Sequence, residues 1–291
     1  MKKILLIIIL IFSIASCQEN NHTNNHIDKM KNNISTPFYA LSLDAAGDFQ
    51  VYINDILIAY YYQKGATTLT IPINREILRS GKQKIRIKLE SDKLLESDEL
   101  EYYKFKILKF DSMDAIDSDV IVDCKFDVEK SKKVKIFSQT WDFISEVPYS
   151  LKGWSKSENL LNEDKDELLK EVLFTYNDFR NILKKKDTRL FYLKTQNRDD
   201  EINKALYFNN NNIKEDKLQT ENTIQSISEV LPMENFKMVF YGEGKMVGLI
   251  HIDDKNKDES PIQAKLNDNS IEIFDLILHR PKAGAPLEII R

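Results

Sequence analysis

Glycine, cysteine and histidine are all scarce in this chain of 291 residues, which has 8 glycines, 2 cysteines and 4 histidines. So few glycines disfavour a nucleotide site built from a glycine-rich loop. No serine lies in a glycine-flanked elbow, and no His-Glu zinc motif occurs. A catalyst needs a positioned acid, base or nucleophile, and no such set is recognisable. We therefore expect a protein that is not an enzyme and that uses neither a metal nor an organic cofactor.

A basic surface is also missing. The chain has 42 lysines and arginines against 46 aspartates and glutamates, which gives a formal net charge of −4. Mixed charge at this density is typical of an ordinary solvated surface. Because proteins that bind nucleic acid usually carry a basic stripe, nucleic acid is not an expected partner.

Long apolar runs are absent, but a short one lies near the amino terminus. Ile4–Phe12 is unbroken and apolar, yet it falls well below the roughly 20 residues that span a bilayer. Its length suits the core of a cleavable secretion signal, and Lys2 and Lys3 supply the basic start. An uncleaved inner-membrane anchor is the alternative. The small residues just before Cys17 favour the cleaved signal.

Residues 14–17 resemble the lipobox of bacterial lipoproteins. Their sequence is isoleucine, alanine, serine and then Cys17. This resemblance implies that residues 1–16 are a signal peptide and that Cys17, acylated on sulfur and then on nitrogen, becomes the first residue. Several acyl chains anchor a protein firmly, whereas one binds marginally. In such lipoproteins Gln18, in place of an aspartate, favours the outer membrane. We therefore expect a protein of the cell envelope that is attached to the outer membrane by the lipid on Cys17.

Residues 17–36 are predicted to form a lipidated, disordered tether. The segment is rich in polar residues and too poor in apolar ones to bury a core. His22 and His26 lie four residues apart, which a metal site could use, but two polar residues of a tether are the simpler interpretation.

If Cys17 carries lipid, Cys124 is the remaining thiol and the body has no disulfide. Stability must then come from apolar burial.

Residues 37–147 are predicted to form an all-β sandwich. Apolar and polar residues alternate repeatedly, as in Ile85–Leu89, and turn signals recur about every ten residues. Asn54-Asp55 is one such signal, because both residues tolerate a positive φ, and Ser80-Gly81 is another. Pro72 confines its strand to an edge or an end.

Three stretches of this region resemble the jelly-roll modules attached to many glycosidases: Val51–Asp55, Ile71–Asn74 and Ile77–Ile87. Val51–Asp55 matches a recurring valine, aromatic, valine, asparagine, glycine pattern, and Ile77–Ile87 matches a later leucine-x-x-glycine-x-asparagine-x-isoleucine pattern. Asp55 stands where glycine is usual, and Gln83 stands where asparagine is usual. The resemblance supports the sandwich fold more than any sugar-binding activity.

The second half of the chain has a helical period before strands return. Residues 157–291 are predicted to form an α+β domain with helices packed on an antiparallel sheet. Apolar residues from Leu168 to Leu183 share one helical face. Two further helices are expected over Asp199–Leu206 and Thr220–Val230, with the four asparagines of Asn209–Asn212 as a loop between them.

Strands are expected from Phe236 onward. Phe236–Tyr241 and Lys245–Ile252 flank the hairpin signal Gly242-Glu243-Gly244. Ile271–Leu278 is apolar on both faces, which predicts a central strand. Helices followed by an antiparallel meander resemble the cone-shaped fold of the nuclear-transport-factor-like superfamily, in which a concave pocket is common.

Four aromatic residues are the candidates for ligand binding. Tyr60, Tyr61 and Tyr62 are consecutive in a predicted strand, so at least one faces outward. An exposed aromatic cluster can stack on sugars or anchor a protein interface. Trp154 lies in a polar segment between the predicted domains, where it serves either as a binding anchor or as packing between the domains.

Other motifs fail as sites or have a simpler explanation. Gly242–Lys245 lacks the rest of a phosphate-binding loop. Asp253–Glu259 lacks the glycine and ligand spacing of an EF-hand, and a solvated hairpin tip is expected. Cys124 alternates with apolar residues, which predicts a buried and inert thiol. His251 and His279 fall in predicted strands of one sheet and could face a pocket.

These observations predict a binding function. The preferred hypothesis is recognition of another envelope protein, for example by an immunity factor that neutralises a toxin delivered by a neighbouring cell. The alternative is a glycan-binding lipoprotein associated with sugar uptake, in which Tyr60, Tyr61 or Tyr62 lines a groove. A third hypothesis, an enzyme, requires His251 or His279 to lie in a cavity beside a carboxylate.

Overall fold

The computed structural model describes residues 35–91, 94–95, 98–127, 129 and 134–291. The signal peptide and Cys17, with nearly all of the tether, lie outside the described residues. Within the described part, no helix is long and apolar enough to cross a membrane. The chain folds as an N-terminal β-sandwich followed by an α+β domain, in agreement with the sequence pattern.

The sandwich consists of two antiparallel four-stranded sheets, ordered β4-β1-β6-β7 and β3-β2-β5-β8. Its strands are β1 (Phe38–Ala46), β2 (Asp48–Ile53), β3 (Ile56–Tyr61), β4 (Ala66–Pro72), β5 (Arg79–Glu90), β6 (Tyr103–Phe110), β7 (Asp119–Asp123) and β8 (Ile136–Ser150). Short 3-10 helices cover Asn74–Glu76 and Glu99–Tyr102. β4 is an edge strand that ends at Pro72, as expected.

Because apolar and polar side chains alternate along the inner strands, one face of each of these strands lies in the core. Ile85, Ile87 and Leu89 of β5 are 0% exposed. The β2–β3 hairpin turns at Asn54 and Asp55, with φ of 49° and 66°, as the turn signal predicts. The turn expected at Ser80-Gly81 was wrong, because Gly81 lies inside β5, where a positive φ of 124° accompanies a shift in register against β8.

The C-terminal domain packs three helices with two antiparallel sheets. Its elements are α1 (Lys165–Lys185), α2 (Thr188–Ala205), α3 (Asn210–Gln225), β9 (Ile227–Val230), β10 (Phe236–Tyr241), β11 (Met246–His251), β12 (Gln263–Leu266), β13 (Ile271–Ile273), β14 (Ile277–His279) and β15 (Glu288–Ile289). The sheets are ordered β13-β12-β9 and β10-β11-β14-β15. A short 3-10 helix, Leu160–Asn162, precedes α1.

α1 begins and ends where the sequence predicts. The Asp164 carboxylate accepts hydrogen bonds from the backbone N–H groups of Asp166 and Glu167, and this caps the helix. Lys186 adopts a left-handed conformation after the last turn. The predicted apolar face, from Leu168 to Leu183, is buried against the sheets.

The other two helices differ from expectation. α2 begins at Thr188 rather than Asp199, because Asp187 caps it. The asparagine run is not a loop: Asn209 caps α3 in a reciprocal pair with Asn212, and the helix ends at Gln225. Asparagine favours both turns and helix caps, so composition alone does not separate the two.

The expected central strand over Ile271–Leu278 was also wrong. This segment contains two short strands in different sheets, with β13 at the edge of one sheet and β14 inside the other. Phe274 lies between them and bonds through its backbone to Ile262 and Ser260. The apolar residues of this segment therefore belong to two different sheets, and Ile271 at the edge of one of them is 41% exposed.

One apolar cluster extends from the sandwich into the C-terminal domain. Ala205, Tyr241, Met246 and Ile290 belong to the same buried cluster as the sandwich core. Tyr207, just after α2, packs against Tyr149 of β8 with ring centroids 5.8 Å apart and ring planes tilted by 51°. Continuous apolar packing of this kind holds the two domains against each other.

Candidate functional site

The three consecutive tyrosines divide between the two faces of the sheet. Tyr61 packs toward the sandwich core, where its ring stacks on Phe49 at a centroid distance of 6.0 Å. Tyr60 and Tyr62 stack on each other at 5.9 Å on the opposite face. Burial raises the pKa of the Tyr60 hydroxyl, and Asp275 and Glu259 add to the effect. The outward pair therefore lies beside carboxylates of the C-terminal domain.

Asp258 connects the C-terminal domain to this face. Its carboxylate accepts hydrogen bonds from the Tyr62 hydroxyl and from the Gln50 side-chain amide. Asp258 is 7% exposed, so the expected solvated hairpin tip was wrong at this residue. Its loop folds back because the backbone N–H of Asp258 bonds to the carbonyl of His251, at 3.2 Å. A buried carboxylate with two donors is a strong cross-domain link.

Lys257 contacts both the Tyr62 ring and the Glu90 carboxylate. Its Nζ lies 4.2 Å from the centroid of the Tyr62 ring and 3.2 Å from Glu90 Oε1. Lys88 Nζ forms an ion pair with Oε2 of the same carboxylate, at 3.5 Å. Although desolvation opposes the shift, hydrogen bonding to Lys257 and the charges of both lysines lower the pKa of Glu90. The ring and the hydroxyl of Tyr62 are both engaged by groups of this chain.

A second cross-domain link is made by Asp55 at the β2–β3 turn. Asp55 Oδ1 accepts from Arg86 Nη2 at 2.9 Å, and Oδ2 accepts from the backbone N–H of Glu243 at 3.0 Å. The Arg86 guanidinium lies over the Tyr52 ring, 3.7 Å from its centroid. The Asp55 carboxylate therefore joins this turn to the β10–β11 hairpin.

Trp154 is buried between the domains, with 7% of its surface exposed. A Cβ on Gly242 would lie 2.9 Å from Trp154 Cδ1, so glycine allows the hairpin to approach the indole. The Arg291 guanidinium carbon lies 5.0 Å from the ring centroid. The structure thus places Trp154 in packing between domains.

Buried charges surround this tryptophan. Arg291 Nη1 bonds to Glu201 Oε2 of α2 at 3.2 Å, and Arg291 Nε donates to the Arg75 carbonyl at 3.2 Å. Glu201 Oε1 accepts from the backbone N–H of Gly153 at 2.7 Å. These bonds join the sandwich, the connecting segment and the C-terminal domain. Together with the Asp258 and Asp55 links they fix the orientation of the domains.

His279 has a side-chain partner, whereas Nδ1 of His251 forms no hydrogen bond with any described residue. Ser157 Oγ lies 2.6 Å from His279 Nδ1. Burial, followed by the charge of Lys152, lowers the pKa of His279 to about 4, so its ring is neutral at pH 7. A histidine with so low a pKa is a weak general base. His251 Nδ1 lies 3.4 Å from the Asp253 carboxylate.

Cys124 is buried, and burial raises the pKa of its thiol to about 12. β7 ends at Asp123, so Cys124 lies just beyond the strand rather than within it.

Among the described residues, no group of three or more His, Cys, Asp and Glu side chains is placed to hold a metal ion. Cys17, His22 and His26 lie outside the described residues.

An exposed sheet edge was missed from the sequence. The apolar alternation through Val120 and Cys124 predicted a buried face, but Val120 is 53% exposed and Ile121 is 36% exposed. A bulge opposite Ile107 and Leu108 of β6 shifts the register of β7 at this point. In the preceding loop, Ile116 is 95% exposed. We call Ile116, Val120 and Ile121 the apolar edge.

Carboxylates surround the apolar edge. Residues 111–127 contain six aspartates and one lysine. Asp111, Asp114, Asp117 and Asp119 form no ion pair with any described residue. The signal that could have revealed this surface is the repeated pairing of aspartate with isoleucine and valine, which suits an edge strand better than a buried one.

No family model, no curated protein and no solved structure matches this chain.

Proposed function

We propose that this chain is a lipid-anchored, non-catalytic protein of the cell envelope that binds another protein. The lipobox at Cys17 supports the anchor. The observation that carries the binding function is the apolar edge. Three exposed aliphatic side chains lie beside carboxylates that form no ion pair with the described residues, which resembles an interface more than an ordinary surface.

The geometry of the other candidates supports this choice. Tyr62 uses its ring and its hydroxyl within the chain, and Trp154 is buried between the domains. Glycan stacking needs a free aromatic face, which favours protein recognition over the glycan alternative. His279 is neutral, and its ring shares a hydrogen bond with the Ser157 hydroxyl, which favours a non-catalytic role.

Site-specific photo-crosslinking in intact cells tests the proposal. A photoreactive phenylalanine analogue is placed at Ile116, and the same analogue at Phe174 of α1, which is 77% exposed, serves as the matched control. We expect a discrete protein adduct from position 116 and none from position 174. Absence of an adduct at 116, or identical adducts at both positions, contradicts protein recognition at this edge.

The concrete version of the proposal is an immunity factor against a delivered toxin. Cells that lack the protein should then be inhibited by neighbours that deliver the toxin. The wild-type gene should restore growth, and a Cys17→Ser version that is not anchored should restore less. Equal growth of deleted and intact cells beside every toxin-delivering neighbour argues against immunity while leaving protein recognition in place.

A further inference from the structure

We propose that β7 binds its partner by strand addition, and that the occupant is an extended, basic segment of another protein. The inference rests on the proposed function and specifies how the partner is recognised. β7 is the terminal strand of its sheet, with β6 on one side and no described strand on the other. An open edge of this kind offers backbone donors and acceptors to an added strand.

Two other edge strands of the sandwich, β4 and β3, are less apolar or less accessible than β7. At the opposite edge of the same sheet, the exposed side chains of β4 include Thr68, Thr70 and Pro72. Proline and polar residues protect an edge from pairing. β3 forms one edge of the second sheet, and Tyr60 and Tyr62 beside it face the C-terminal domain.

The side chains on β7 provide specificity as well as access. Val120 and Ile121 are exposed on the strand, and Ile116 projects from the loop before it. A bulge and flanking charges alone would protect the edge against self-association. Exposed aliphatic side chains serve no such purpose, because they increase the tendency to associate. Their presence on an open strand indicates a surface that is covered by a partner.

Charge selects the kind of partner. Asp111, Asp114, Asp117 and Asp119 have no compensating ion pair among the described residues. They do not converge on a point, and no metal-holding group is found in the described part of the chain. Spread negative charge beside an apolar strand attracts a basic segment and accelerates its association.

The same charges disfavour two other occupants. A second copy of the chain would bring its own aspartates against these, and like charges facing each other weaken strand pairing. An anionic lipid surface would be repelled in the same way. A basic polypeptide is the occupant that both the open backbone and the carboxylates favour.

Binding of a designed peptide tests strand addition directly. The probe is a short fluorescein-labelled peptide of alternating lysine and valine, and its binding to the folded protein is followed by fluorescence anisotropy. A second peptide has the same side chains but N-methyl groups on alternate backbone amides, which prevents strand pairing on one edge. We expect the first peptide to bind and the N-methylated peptide to bind at least about tenfold more weakly. If the two peptides bind equally well, strand addition is wrong, because binding would then depend on charge attraction and not on backbone hydrogen bonds.

Variants locate the binding site. Val120→Lys and Ile121→Lys place a positive charge at exposed positions of β7, whereas Thr68→Lys makes a comparable change at the β4 edge. We expect each β7 variant to weaken peptide binding about tenfold or more, and Thr68→Lys to leave it unchanged. Circular dichroism confirms that each variant is folded. Equal weakening by Thr68→Lys overturns the assignment to β7.

Two outcomes separate this inference from the proposed function. If the peptide does not bind but the Ile116 crosslink persists in cells, strand addition is wrong and protein recognition stands. If the crosslink is also absent, both fail. Light scattering on the purified protein checks the second-copy alternative, and a dimer that Val120→Lys dissociates would overturn the basic-segment occupant.

Discussion

The carboxylate of Asp258, on the loop after β11, accepts the hydroxyl hydrogen bond of Tyr62, which directly follows β3. The two residues are 196 positions apart in the sequence, and this bond joins the two domains. Gln50 donates to the same carboxylate, and Lys257 lies over the Tyr62 ring. The candidate tyrosines therefore contribute to the packing of the two domains.

Tyr62→Phe is expected to destabilise the protein. It removes one of two donors to a buried carboxylate, and a hydrogen bond to a charged group contributes about 1.5–3 kcal/mol. Tyr61→Phe is the matched control, because no hydrogen bond of the Tyr61 hydroxyl is recorded among the described residues. Urea unfolding should show a lower free energy of unfolding for Tyr62→Phe and a change of less than about 0.5 kcal/mol for Tyr61→Phe. Equal effects would contradict the role of the Asp258 link.

Ser145→Ala is expected to stabilise the protein or leave its stability unchanged. Ser145 of β8 is 0% exposed, and its hydroxyl has no hydrogen-bond partner in the described structure. An unsatisfied buried polar group costs about 1–3 kcal/mol, part of which the substitution recovers. Ser260→Ala is the matched control, since Ser260 Oγ donates to the Phe274 carbonyl at 2.7 Å and the variant should lose stability. Thermal unfolding of both variants measures the difference, and a clear loss from Ser145→Ala would show that its hydroxyl is satisfied.

Stability is expected to fall on acidification because of His279. Burial lowers the folded-state pKa of this residue to about 4, whereas the unfolded chain titrates near the ordinary value of about 6.5. Between these values the unfolded state binds more protons, so the free energy of unfolding decreases as the pH falls through this window. His279→Asn removes the titration, and its unfolding free energy should depend less on pH between 6.5 and 4. Parallel curves for the two proteins would contradict a neutral, buried His279.

Cys124 is expected to be unreactive in the folded protein. Burial raises the pKa of its thiol to about 12, and the thiolate is the nucleophile. Alkylation by iodoacetamide at pH 8 should be slower by about 100-fold or more in buffer than in urea, for a chain with Cys17→Ser so that only one thiol is present. Rapid labelling without denaturant would place the thiol at the surface.

Local patterns predicted much of the fold. Alternation predicted the sandwich, and the spacing from Leu168 to Leu183 predicted α1 with both of its ends. The misplaced elements share a cause, because their residues suit two local structures. The asparagine run serves as a helix cap as well as it would serve a loop, and Ile271–Leu278 is apolar throughout although it belongs to two sheets.

The candidate site was harder to predict, because it depends on contacts between residues far apart in the sequence. The tyrosines were recognised as notable, but their partner Asp258 is about 200 residues away and lies in a segment that looks solvated. At β7, Val120 is 53% exposed although its face was predicted to be buried, and the register shifts at this point of the strand. A shift of one residue reverses the faces of a strand, and periodicity alone does not reveal such a shift.

Mass spectrometry of the native protein, extracted from cells with detergent, tests the central claim most directly. The account predicts a chain that begins at Cys17 and carries acyl groups on both the sulfur and the amino nitrogen of that residue. A chain that begins at Met1 and has an unmodified Cys17 thiol would contradict it.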